Sequence, residues 1–135
     1  MSWQHQRYSM HFPRNSLVVL HRNFLDKLYH TALYGTPADL AKIIHKANHV
    51  QIKALSEISQ NLLAATYPRI SKAYLKKLNP YKRIIRQLGS SKTPITTKRK
   101  TLLRTNVQHG GLPFLAPLLA PIIGALLSAG IQAAV

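Results

Sequence analysis

Few side chains in this sequence could carry out covalent chemistry. Its 135 residues include no cysteine and only three acids, Asp26, Asp39 and Glu57. That composition leaves no thiol nucleophile, no disulfide framework and no thiolate zinc site. The serines are scattered and no two carboxylates converge, so no acid–base pair is expected. His45 and His49 stand four residues apart, as two metal ligands on one helix face would. No third ligand accompanies them, and Asn48 marks a helix break beside them, so solvated or capping histidines are the expected reading. Asp26 and His30 share the same spacing and read as a surface pair. A non-enzymatic chain with no cofactor and no metal is expected.

What the sequence offers instead is positive charge. Nineteen Lys and Arg oppose the three acids, for a net charge of +16 with neutral histidines. Such a charge calls for a polyanion, either nucleic acid or an anionic membrane surface. The charge is unevenly spread. Residues 1–68 hold seven basic residues and all three acids, residues 69–104 hold twelve basic residues and no acid, and residues 105–135 hold no charged side chain. A solvated helix face usually mixes signs, whereas the middle segment does not, and that points to phosphate contact. The candidate contacts are Arg69, Lys72, Lys76, Lys77, Lys82, Arg83, Arg86, Lys98, Arg99, Lys100 and Arg104. No zinc-finger spacing or RNP aromatic pattern is present, so contact without base readout is expected. Tyr67, Tyr74 and Tyr81 recur every seven residues, a spacing open to base stacking but more common at the edge of a core. Lys98-Arg99-Lys100 with Arg104 also has the composition of a nuclear localisation cluster.

The last 24 residues, LPFLAPLLAPIIGALLSAGIQAAV, are uncharged. As a helix they would reach ~36 Å, enough for a bilayer core of roughly 30 Å. Pro113, Pro117 and Pro121 argue against a plain anchor, because each kinks a helix and frees a carbonyl. Two readings stay open. Leu112, Pro113, Phe114, Leu115, Ile122, Ile123, Leu126 and Leu127 could serve membrane contact or self-association, aided by the small pair Gly124 and Ser128. Alternatively, the tail covers the apolar face of the rest of the chain.

The elements that must carry these residues are helical. Leu17, Leu20, Phe24, Leu28 and Ala32 recur every three or four positions between a capping Ser16 and a terminating Gly35. Thr36, Pro37 and Asp39 start a second helix bearing Leu40, Ile43, Ile44 and Ala47. A third runs from Val50 to about Thr66, with Ile52, Leu55, Ile58 and Leu62 on one face and Lys53–Glu57 paired opposite. Two shorter helices follow, Ile70–Leu78 and Tyr81–Leu88, and then a linker through Gly89-Ser90-Ser91 and Thr93-Pro94. The first fifteen residues contain no apolar run of the signal-peptide kind, so they read as an arm of a chain kept on the cytosolic or nuclear side. The expected fold is all-α. It divides into an arm (1–15), a marginal helical bundle (16–68), basic helices with a linker (69–104), and a Gly-Gly hinge with an apolar tail (105–135).

The segment 109–135, HGGLPFLAPLLAPIIGALLSAGIQAAV, resembles the C-terminal region of adenovirus core protein X, the precursor of the DNA-condensing peptide mu. Over residues 37–127 the chain is similar to the small basic protein of Polinton (Maverick) elements and adintoviruses. The likeness rests on the helix Ile52–Leu63 ahead of a proline, on Tyr81-Lys82-Arg83 with Arg86, on Lys98-Arg99-Lys100-Thr101-Leu102-Leu103, and on Gly110-Gly111-Leu112-Pro113. It implies a minor virion protein that condenses double-stranded DNA in the virion core and meets the host nucleus during assembly. Capsid proteins and a viral cysteine protease would be further partners, with Gly110-Gly111 as the candidate processing site. Gln108 stands where that protease prefers an aliphatic residue, and the basic regions are rich in lysine rather than arginine. The rival expectation is a membrane-active minor capsid protein whose tail inserts into bilayers.

Overall fold

The computed structural model of the chain describes residues 16–64, 72–106 and 113–128. The fold is all-α: α1 (Leu17–Leu20), α2 (Arg22–Tyr34), α3 (Pro37–Lys46), α4 (His49–Leu63), α5 (Lys72–Leu78), a 3-10 turn (Asn79–Tyr81), α6 (Lys82–Gly89), α7 (Ile95–Asn106) and α8 (Leu115–Ser128).

Helix ends are set by local chemistry. Ser16 Oγ accepts from the Val19 amide at 3.2 Å. The periodicity read as one helix is broken at His21, whose φ of −113° and ψ of 29° leave the helical region. Thr36 and Asp39 form a reciprocal capping box, each side chain accepting from the other's backbone N–H at 3.1 Å. Asn48 and Gln51 repeat the device at the start of α4, at 2.9 and 3.0 Å. Both satisfy amides that a helix start leaves without partners.

The hub is α4, which packs against α1, α6 and α7. Small residues on its inner side, Ala54, Ser56 and Ser59, allow a close approach. A Cβ at Gly89, the last residue of α6, would sit 3.1 Å from Leu63 Cδ1 and 3.2 Å from the Gln60 amide. A larger residue there would press on α4 by a few tenths of an ångström, and the Gly89 carbonyl accepts from Gln60 Nε2 at 3.0 Å. Glu57 does not pair with Lys53 as its spacing suggests. Its two carboxylate oxygens cap α1 instead, accepting from the Leu17 and Val18 amides at 3.2 and 3.3 Å.

The apolar tail belongs to the same core as the bundle. α8 packs along α2 and against α5. Phe114, Leu115, Leu118, Leu119, Ile122, Ile123 and Leu126 are buried in one cluster with Leu25, Leu28, Ile44, Leu55, Leu88 and Leu102. The division by charge is thus not a division by packing. A bundle that looked marginal on its own is completed by the last helix.

Prolines do not prevent that helix. Pro117 falls in its first turn, where the missing N–H would have no intrahelical partner. Pro121 lies inside, where its ring disturbs the preceding turn. In that turn the Leu118 carbonyl accepts from Tyr74 Oη at 2.7 Å.

Candidate nucleic-acid interface

The absence of acid between residues 69 and 104 becomes a surface through the way α5, α6 and α7 seat themselves. On α6, Ile85 and Leu88 turn into the core, which leaves Lys82, Arg83 and Arg86 exposed. On α5, Leu78 is buried while Lys72, Lys76 and Lys77 are exposed. On α7, Lys100 and Arg104 are exposed. Arg69 lies outside the described residues.

Two of the expected phosphate contacts have other work. Lys98 is only 4% exposed, and its Nζ donates to Ser56 Oγ at 2.9 Å. It shares the inner face of α7 with Thr101, Leu102 and Thr105, so it points away from any ligand on the basic face. Burial, with a contribution from the nearby Lys53 charge, pulls its ammonium below the ordinary lysine pKa. Arg99 is half-buried. Its Nη1 donates to the Ile44 and Ala47 carbonyls at 2.7 and 2.6 Å, with His45 O at 3.4 Å. Those carbonyls end α3 and would otherwise lack partners, so Arg99 ties α7 to α3.

Tyr74 and Tyr81 do not form a stacking platform. Tyr74 is committed to Leu118 O, and the Tyr81 ring lies 5.0 Å from that of Phe114. Both pack at the edge of the core. Tyr67 lies outside the described residues.

Most apolar side chains among the tail's described residues are likewise buried. Phe114, Leu115, Ile122, Ile123 and Leu126 are buried, and Pro113 is half-buried. Gly124 is exposed, with open space around it. Among the described residues no helix is long and apolar enough to cross a membrane. The buried side chains of α8 face the protein's own helices. Gly110, Gly111 and Leu112 lie outside the described residues, as does the side chain of Leu127.

The three acids also have structural positions. Asp26 Oδ1 is 3.2 Å from His30 Nδ1, the expected i,i+4 pair. Asp39 and Glu57 cap helices, and the Thr36 hydrogen bonds lower the Asp39 pKa. Among the described residues, no other carboxylate lies within 4 Å of a cationic nitrogen. His45 and His49 are exposed, and no cluster of metal-ligating side chains occurs among the described residues.

An open cleft between α2 and α3 carries Lys27, Lys42 and Lys46, but Asp26 and Asp39 stand among them. A smaller groove sits beneath the basic surface, with Leu62, Leu63, Leu75 and Ile85 as its floor and Lys72, Lys76 and Lys82 at its rim. There the lysine stems cover apolar surface while their ammonium groups stay in water.

Compared with protein-family models, curated proteins and solved structures, the chain matches none.

Proposed function

We propose that this chain is a non-enzymatic, viral core-type protein that binds and condenses double-stranded DNA without base readout. The observation that carries the reading is the exposure of Lys72, Lys76, Lys77, Lys82, Arg83, Arg86, Lys100 and Arg104 on a segment with no acid. A folded protein that tolerates such uncompensated charge gains when phosphates replace its counterions. The likeness to adenovirus core protein X and to the Polinton basic protein supports the viral setting. Under this reading the protein acts in the virion core and passes through the host nucleus, alongside capsid proteins and a protease that meets Gly110-Gly111.

The test is fluorescence anisotropy with a short duplex over a range of salt. Affinity should fall steeply with salt and differ little between duplex sequences. Replacing Lys82, Arg83 and Arg86 together by Ala should flatten the log–log slope by about 2 to 3, since each phosphate contact is worth ~0.9. A salt-independent affinity, or no binding, overturns the proposal.

A further inference from the structure

A pocket of about 490 Å³ is walled by α4, residues 91–94 and the start of α7. Its lining includes two lysines, Lys53 and Lys98, and the hydroxyl residues Ser91 and Thr93, with Ser56 already bonded to Lys98 Nζ and to the Ile52 carbonyl. Lys98 is nearly all buried, and its one hydrogen bond goes to Ser56 Oγ, which leaves two ammonium donors uncommitted. No carboxylate of the described residues lies within 4 Å of it. Glu57 also lines the pocket, but its two oxygens are engaged by the Leu17 and Val18 amides. Two lysines thus face one committed carboxylate, and the pocket keeps a net positive charge.

A buried ammonium without a counter-ion is costly, and it is relieved either by losing its proton or by gaining an anion. The Ser91 and Thr93 hydroxyls favour the second course, because they can donate to a tetrahedral oxyanion, whereas the Ser56 hydroxyl already donates to the Ile52 carbonyl. Charge-assisted hydrogen bonds of this kind are the strong ones. We infer that this pocket binds a phosphate-type oxyanion, held by Lys98 and Lys53 with Ser91 and Thr93 around it. The source is either free phosphate or a backbone phosphate of nucleic acid. The site is separate from the exposed cations of α5 and α6, and it stands or falls independently of DNA condensation.

The test follows the Lys98 Cε–Hε resonances of the full chain by NMR during addition of inorganic phosphate, with chloride at equal ionic strength as control. Lys98→Met assigns the signal. Lys98 should saturate at a phosphate concentration about tenfold or more below that needed by the exposed lysines Lys76 and Lys100. Lys53→Met should remove most of that preference while circular dichroism stays unchanged. A parallel titration with a short duplex separates the sources. A Lys98 shift with duplex assigns the pocket to backbone phosphate, and a shift with inorganic phosphate alone assigns it to the free ion. If Lys98 moves in step with the exposed lysines, or in neither titration, the inference is overturned.

Discussion

Ending the chain at Gly111 should abolish cooperative folding. That truncation removes Phe114, Leu115, Leu118, Leu119, Ile122, Ile123 and Leu126, all buried in the common core. Each is worth about 1.5–3 kcal/mol of burial, so their loss withdraws on the order of 10–20 kcal/mol. That figure is an upper bound, because a real unfolded chain already hides part of this surface. Even halved, it matches the whole stability of an ordinary domain, about 5–15 kcal/mol. The truncation also exposes the faces of α2 and α5 against which α8 packs. Far-UV circular dichroism and urea titration of the two chains provide the assay. The full chain should unfold in one sigmoidal step, and the chain ending at Gly111 should show weak helicity with no sharp transition. Adding a peptide of residues 112–135 in trans should restore the transition. A truncated chain with an unchanged urea midpoint would refute the core assignment of α8, and would return the tail to the membrane or self-association reading.

Three further outcomes follow from individual side chains. Arg99→Ala strands the Ile44 and Ala47 carbonyls and should cost about 1.5–3 kcal/mol in urea unfolding, with Arg99→Lys recovering only part. Its effect on duplex affinity should be smaller than that of Arg83→Ala; the reverse order would place Arg99 on phosphate. Tyr74→Phe should cost roughly 1 kcal/mol by freeing the Leu118 carbonyl, and should leave duplex affinity unchanged. A large loss of affinity would show that the Tyr74 hydroxyl contacts the duplex instead. The third outcome concerns Lys98, whose proton the unfolded chain holds more tightly than the folded one. Between the folded pKa and the unfolded value of 10.5, the unfolded state therefore binds more protons, and stability rises with pH. Lys98→Met should lose that part of the rise, read as urea midpoints from neutral to alkaline pH. Parallel curves for the two proteins would contradict the shift.

The helical phasing was legible because it rests on local chemistry. Ser16, Thr36 with Asp39, and the break at Asn48 act within one turn, and the structure shows each where spacing predicts it. The Asn48–Gln51 box follows the same rule as Thr36–Asp39, but the sequence reading takes Asn48 only as a break. The roles that escaped are those set by distant partners. Glu57 has a lysine four residues away, yet it bonds amides 39 and 40 positions distant. Lys98 and Arg99 read as charge, and only the packing of α7 on α4 and α3 turns them inward. A faint signal existed for Lys98: at helical spacing it shares a stripe with Thr101, Leu102 and Thr105, a face with little charge otherwise. The tail was ambiguous for a more basic reason. Apolar composition states that water is avoided, but not whether lipid or protein takes its place. The shortfall of core in residues 16–68 was the clue that it was protein.

The pairing of α2 with α8 also has a bearing on synthesis. α2 leaves the ribosome well before the helix that covers it is made. Until then the N-terminal helices keep an uncovered apolar face while the twelve cations of residues 69–104 emerge unfolded beside ribosomal RNA. Long-range closure of this kind is slow, and the waiting state is prone to aggregate. The exposed cations of α5 and α6 reach their final arrangement only once α8 has been made.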